Sequence, residues 1–310
     1  MRTISFIMPA WKSRFLREAV ASIVAQTSPD WELVVVDDCS PEPLKEIVAS
    51  FDDPRIRYVR NERNLGAENL VRQWNHSITF ATGDFIVLAA DDDIYKPTFC
   101  ETCLRLAEKY PQVDLIHASV EQIDEEGRVI GGDSILPEFT DKYAYLNGWV
   151  TGRLFTCVGN FAFRRTALLE MGGFIDSPCG FSSDIETPIV LSKNGVANTS
   201  EMLFCFRISG QHLSSDPSRF KEKLEAISQR TEWLEAIGYE EPETPEDKEL
   251  YHSVINHEYL HRKVVYEYFN LVLKRLPARE VPAYLSYCRL ATSKDKLMMC
   301  LRWIKSRIIR

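Results

Sequence analysis

The sequence predicts an α/β fold, a mainly parallel sheet flanked by helices, followed by a helical extension. Three observations predict it. Over residues 1–115 short apolar runs alternate with segments of helical period, the rhythm of βαβ units. Two of those runs, 33–36 and 85–90, are apolar throughout, as strands covered on both faces are. Each stops abruptly at carboxylates, Asp37-Asp38 and Asp91-Asp92-Asp93. Beyond Pro217 the apolar spacing turns helical and stays so.

Residues 4–8 read as the first strand, ended by Pro9-Ala10-Trp11-Lys12. Phe15, Leu16, Ala19, Val20, Ile23 and Val24 then share one helical face. Strand 33–36, a short helix over 44–51 and strand 56–59 follow. Residues 61–66 form a turn closed by Gly66, and a helix covers 68–80. Thr82-Gly83-Asp84 turns the chain into the strand that meets the Asp triplet. Pro97 opens a helix to residue 110, Pro being well placed in a first turn. Residues 113–119 are the next strand.

From Glu121 the rhythm changes. Residues 124–127 suit a hairpin turn between short strands. The stretch 155–163 is apolar around Gly159 and Asn160, and a helix over 165–171 is closed by Gly172-Gly173. A short helix over 189–193 is expected after Pro188, then a strand over 198–208 broken by Gly210-Gln211-His212. Helices are expected over 220–234, 248–276 and 281–290, and residues 240–247, acidic with Pro242 and Pro245, make the best linker. The expected division is an α/β domain over 1–215 and a helical region over 216–310.

The 310 residues carry a net charge of -8, which gives no support for nucleic-acid binding. No apolar run approaches the ~20 residues a membrane helix needs, and residues 1–10 lack a signal-peptide core. A cytoplasmic location is expected, with peripheral attachment to the inner face of the membrane as an option. Eight cysteines without a signal argue for reduced thiols. Cys100 and Cys103 form a C-x-x-C on a helix, and no second pair at metal-binding spacing accompanies it.

The Asp triplet is the sharpest chemical feature. Ligands of parallel sheets bind outside the carboxyl ends of the strands. Three adjacent carboxylates there repel one another unless something cationic lies between them. Mg²⁺ or Mn²⁺ bridged to substrate phosphates suits such oxygen donors. A solvated acidic turn is the other reading.

Eight short pieces, in order, give the chain a family resemblance. They are Met8-Pro9-Ala10-Trp11-Lys12, Ser22-Ile23-Val24-Ala25-Gln26-Thr27, Val35-Val36-Asp37-Asp38-Cys39-Ser40, Asn64-Leu65-Gly66, Ala81-Thr82-Gly83-Asp84-Phe85-Ile86, Asp91-Asp92-Asp93-Ile94-Tyr95-Lys96-Pro97, Gly172-Gly173-Phe174 and Ser183-Asp184-Ile185-Glu186. Over residues 3–215 the sequence resembles the family 2 glycosyltransferases, inverting enzymes with the GT-A fold. The resemblance implies a nucleotide-diphosphate sugar donor, a divalent metal and an acceptor hydroxyl. It puts Pro9 and Trp11 where the first strand meets the nucleotide base, Trp11 replacing the usual Tyr or Phe. Asp38 takes the place of the carboxylate that accepts the base's N–H, from uracil in the favoured UDP donor or from guanine. Aligned on Pro97, the family's Asp-x-Asp-Asp pattern has Ala90 at its first Asp, Asp92 as metal ligand and Asp93 beside it. Asp91 would face the ribose or second the metal. Asp184 matches the catalytic base, with Ser183 where an acidic residue is usual; a helix N-cap is its plainer role. His212 matches loosely a histidine on the metal or diphosphate. Arg72 could meet the diphosphate or be a surface charge. Asn160 and Arg164 lie toward the expected acceptor side, or are a buried turn amide and a solvated charge.

The expected activity is transfer of a sugar to a hydroxyl of a glycan or lipid-linked saccharide, in cell-surface polysaccharide synthesis. The alternatives are a catalytically silent scaffold, hinted at by Ala90 and Ser183, and a sugar nucleotidyltransferase, whose Gly- and Arg-rich signature residues 9–14 lack. Outside the resemblance, Leu297, Leu301, Ile304 and Ile308 form a helical stripe. Lys294, Lys296, Arg302, Lys305, Arg307 and Arg310 surround it, against one acid, Asp295. With Trp303 this helix could lie on an anionic bilayer; alternatively its stripe docks on the protein. The segment 248–276 could equally form a homodimer face.

Overall fold

The computed structural model describes residues 2–209, 216–237, 242–255 and 257–308. The chain divides into two compact units, residues 1–176 with 183–210, and residues 177–182 with 211–310.

In the first unit the strands are β1 (Ile4–Ala10), β2 (Trp31–Asp37), β3 (Ile56–Arg60), β4 (Phe85–Leu88), β5 (Ile94–Tyr95), β6 (Leu115–Ile123), β7 (Val129–Gly132), β8 (Phe139–Thr140), β9 (Phe161–Arg164) and β10 (Val196–Arg207). Helices α1 (Leu16–Val24), α2 (Leu44–Ala49), α3 (Leu70–Ser77), α4 (Phe99–Lys109), α5 (Lys142–Val150), α6 (Arg165–Glu170) and α7 (Ser183–Leu191) are interleaved with them. Among the described residues one sheet runs β3-β2-β1-β4-β9-β6-β10-β5, with β7 on β6 and β8 on β10.

The sheet is mixed. The pairs β1–β2, β1–β4 and β2–β3 are parallel, as the βαβ rhythm predicts, and β6–β10, beyond that rhythm, is parallel too. Strand β9 runs antiparallel between β4 and β6, with Phe163 opposite both Ile86 and Leu115. Its four residues follow a short 3-10 turn, too brief a run to betray its direction in sequence. Helix α5 was not foreseen because Tyr143, Tyr145, Leu146, Asn147, Gly148, Trp149 and Val150 are all buried, so no polar face marks the period. Helix α7 begins at Ser183 and contains Pro188, so the helix expected to follow that proline starts before it.

Register fixes the working rim of the sheet. Ala10 lies beside Asp37, and Ile7 beside Leu88. Trp11, Asp38 and the residues after Leu88 therefore leave the sheet at neighbouring strand tips. Beneath them Phe6, Tyr95, Phe99 and Phe204 form an aromatic core, with Tyr95 centroids 5.0 Å from Phe6 and 4.8 Å from Phe99. Cys100 and Cys103 are buried in this core, and all eight cysteines are free thiols.

The second unit contains α8 (Phe220–Ala236), α9 (Pro245–Ile255), α10 (His257–Glu267), α11 (Val281–Leu285) and α12 (Ser293–Ile308). A π-helical turn, Tyr268–Val272, and a 3-10 turn, Leu273–Arg275, follow α10. Phe220, Leu224, Ile227, Val264, Tyr268 and Met299 belong to its core. Arg230 and Glu267 make a buried ion pair. Helix α12 is held through Met299 and through Trp303, whose Nε1 donates to the Leu276 carbonyl at 3.2 Å. The predicted stripe of α12 is a different face, and it is exposed.

Candidate active site

The tip of β1 is tied to the Asp triplet. Asp91 Oδ2 accepts the backbone amides of Trp11 and Lys12, both at 2.8 Å. The Trp11 carbonyl accepts from Ser40 Oγ at 2.6 Å, and Asp38 donates its amide to the Ala10 carbonyl at 3.1 Å. The Trp11 backbone is thereby held from both sides, while the residue remains 38% exposed. An indole presented this way has a face available for a flat ring.

Asp37 and Asp38 shape the neighbouring turn. Asp37 is wholly buried; its carboxylate accepts from Ser40 N at 2.7 Å and from Tyr58 and Arg60. Cys39, just past the end of β2, has a left-handed φ of 62°. Asp38 Oδ1 accepts from Asn61 Nδ2 at 2.7 Å and Leu65 N at 2.9 Å, and its Oδ2 from Gly66 N at 2.7 Å. With two lone pairs per oxygen, one position on Oδ2 is left for a ligand. A Cβ on residue 66 would stand 3.1 Å from that oxygen, so the close approach needs the glycine.

The triplet divides its work. Burial pushes Asp91 up to about 6, against the pull of the Lys12 and Trp11 amides. Asp92 is partly exposed; burial raises it, opposed by the charges of Lys12 and Arg207. Asp93 is buried and raised further, by desolvation and then by Asp92 beside it. Its Oδ1 accepts the Arg207 amide at 2.9 Å. Arg207, fully buried at the end of β10, donates Nε to the Asp92 carbonyl at 2.9 Å, Nη1 to the Glu125 carbonyl at 3.0 Å and Nη2 to Glu18 at 2.7 Å. Its guanidinium also sits 4.3 Å over the Phe15 ring. Asp93 is thus turned inward as an anchor, and Asp92 is the member presented outward.

Asp184 lies in the first turn of α7, inside the helix and not at its cap. The start of α7 is fixed by Ser183 Oγ donating to the Ile175 carbonyl at 2.6 Å and by Ile175 N donating to Thr187 Oγ1 at 3.0 Å. The buried Cys157 thiol is raised by desolvation, then by Asp93 and Asp184 together. The base candidate and the triplet therefore share one charge neighbourhood. Tyr145 joins it: burial raises its hydroxyl first, then Asp184 and Asp133. Close by, His117 Nε2 lies 3.7 Å from Asp133 Oδ2. Desolvation pulls the buried His117 down to about 4 and pushes Asp133 up to about 6.

Other candidates sort plainly. His212 lies outside the described residues. Arg72 is exposed and pairs with Glu68 at 3.3 Å. Arg164 is no solvated charge: it bonds Asp114 at 3.0 Å and the carbonyls of Val113 and Pro111. Asn160 is fully buried, its side chain bonding Cys157 N and the Ala118 and Phe155 carbonyls. Among the described residues no three His, Cys, Asp or Glu side chains form a ready-made metal cage. Sequence reasoning missed Lys12, Arg207 and Tyr145. Lys12 and Arg207 supply the positive charge opposite Asp92 from distant parts of the chain, a juxtaposition no local pattern reveals.

Known proteins resemble this chain in sequence and fold. The sequence pattern described as "Glycosyl transferase family 2" matches residues 5–172, more than half of the chain. WcaA of Escherichia coli K12, named for a glycosyl transferase role in colanic acid biosynthesis, is 40% identical over 97 residues, 30% of this chain and 34% of that protein. EpsE of Bacillus subtilis 168, named as a glycosyltransferase, is 28% identical over 176 residues, 55% of this chain and 59% of that protein. Neither match reaches two thirds of the relative's own length. The crystal structure of S. aureus TarS residues 1–349 in complex with UDP superposes with a TM-score of 0.66 at 17% identity, covering 92% of this chain and 78% of that one. At that identity the likeness is one of fold.

Proposed function

The chain belongs to glycosyl transferase family 2, and from that premise we propose that it moves a sugar from a nucleotide-diphosphate donor, UDP-linked, to a saccharide hydroxyl with inversion. It is a transferase by family; donor, acceptor and stereochemistry are our reading. The observation that carries it is the bond from one Asp91 oxygen to the amides of both Trp11 and Lys12, which joins an aromatic platform to an acidic strand tip. The colanic acid role in the name of WcaA supports a place in cell-surface polysaccharide synthesis, with a glycan or lipid-linked saccharide as acceptor.

In this reading the base stacks on Trp11, and its N–H donates to the remaining lone pair of Asp38 Oδ2. The second oxygen of Asp91 takes a ribose hydroxyl. The donor set at the triplet is all oxygen and crowded by burial, which fits a hard divalent ion, Mn²⁺ or Mg²⁺, held by Asp92 with the diphosphate as further ligand. When bound, that ion would neutralise charge on the leaving nucleotide. Asp93 serves by holding Asp92 in place, and Lys12 adds a positive charge beside the phosphates. Asp184 draws the proton from the acceptor hydroxyl as that oxygen attacks the anomeric carbon opposite the leaving group. Asp184 lies beyond the family-matched residues 5–172.

A thermal-shift screen of nucleotide sugars identifies the donor, and Asp184→Asn then tests the base. The expected result is a loss of transfer of about 10²–10⁴-fold with UDP affinity nearly unchanged. Transfer at the wild-type rate would refute the assignment.

A further inference from the structure

We propose that helix α12 is a docking face for an anionic lipid surface. Leu297, Leu301, Ile304 and Ile308 recur at spacings of four, three and four, so they form one stripe along the helix. They are 61%, 51%, 50% and 75% exposed, and Met298 beside them is 45% exposed. The helix is attached by its other side, through Met299 and Trp303. Four large aliphatic side chains in a row are therefore left facing outward, beyond the scattered single residues that an ordinary surface carries.

Charge says what covers them. Within Ser293–Ile308 there are five bases, Lys294, Lys296, Arg302, Lys305 and Arg307, against Asp295 alone. At about 100° per residue, Lys294 and Lys305 fall on one flank of the stripe, Lys296 and Arg307 on the other. Asp295 is occupied at the start of the helix, accepting from Thr292 N at 2.9 Å and paired with His261 at 2.9 Å. Arg307 Nη2 donates to the Lys274 and Leu276 carbonyls at 3.3 and 3.2 Å, which brings the exposed Lys274 and Arg275 against the end of the helix. This basic surface belongs to a chain whose net charge is -8. An apolar stripe with bases on both flanks matches the boundary of a bilayer, acyl chains beneath the stripe and anionic headgroups beside the bases. Among the described residues no helix is long and apolar enough to cross a membrane. The contact is one of lying on the surface.

Docking through α12 and the adjoining basic turn is independent of the transfer reaction. It is tested by sedimentation of the full chain with phosphatidylcholine vesicles, with and without about a third phosphatidylglycerol, a content high enough to set a negative surface potential. The wild type should sediment with the mixed vesicles, less so in high salt, and not with phosphatidylcholine alone. Leu301→Gln with Ile304→Gln, and separately Lys294→Glu with Lys305→Glu, should each reduce binding at least tenfold while thermal stability stays unchanged. Equal binding by wild type and variants, or no binding to the mixed vesicles, overturns the proposal. A wild-type dimer in ultracentrifugation that Leu301→Gln with Ile304→Gln dissociates also overturns it, since a second copy would then cover the stripe.

Discussion

The Oδ2 atom of Asp91 stands 2.8 Å from the backbone nitrogen of Trp11 and 2.8 Å from that of Lys12. One carboxylate at the tip of β4 thereby sets the conformation of the loop at the tip of β1. The bond makes the aromatic platform and the acidic triplet a single device, so losing the carboxylate disturbs both.

Substituting Asp91 separates its charge from its acceptor oxygen. Asp91→Ala leaves two amides without their acceptor and should cost about 2 kcal/mol of stability, read by urea denaturation. Asp91→Asn retains an acceptor and removes the charge. Burial raises the native carboxyl to about 6 from an ordinary 3.8. The carboxyl's contribution to stability is therefore present below 3.8 and lost as pH rises through 6. The stability of wild type minus that of Asp91→Asn should fall between pH 4 and pH 7, with no metal or nucleotide present. Binding has the opposite sign: burial raises Asp92 as well, protons compete there with the cation, and UDP affinity in Mn²⁺ should rise with pH in both the wild type and Asp91→Asn. Calorimetry at four pH values checks both slopes.

Trp11 should account for much of the base's affinity. Trp11→Ala should lose about 1–3 kcal/mol of UDP binding, the range for a base stacked on an aromatic ring, and Trp11→Tyr should lose little. Quenching of indole fluorescence by UDP in the wild type is the accompanying signal.

Arg207 is expected to be structural and indirectly functional. Arg207→Met keeps the backbone amide that Asp93 accepts but leaves the Asp92 and Glu125 carbonyls without their donors, and should cost about 2 kcal/mol, as buried acceptors left unmet do. The Glu18 partner is over half exposed and adds little to that figure. Thermal unfolding of the variant, compared with Arg207→Lys, measures it.

Much of the first unit was legible because its strands and helices obey local periods. Residues 4–8 and 33–36 read as strands, and β1 and β2 contain them. The parallel pairing among β1–β4 followed from the βαβ order. What escaped was set by tertiary contact. β9 takes its direction from insertion between β4 and β6, and α5 hides its period by being buried all round. At the site, residue types and order drew attention to Asp38, the triplet and Asp184. Their partners were not visible: Asp38 is satisfied by Asn61, Leu65 and Gly66, and Asp93 by an arginine over a hundred residues away. In α12 the stripe was legible and its exposure was not, because the face that docks carries Met299 and Trp303.

The central claim is that the triplet and the β1 tip together hold a nucleoside diphosphate through a cation on Asp92. Calorimetric titration of UDP into wild type and Asp92→Asn, each with Mn²⁺ and with chelator, tests it most directly. The account predicts saturable binding for the wild type with Mn²⁺, weakened at least tenfold by chelator or by the substitution. Wild-type binding indifferent to both, or no UDP binding with Mn²⁺ present, would contradict it.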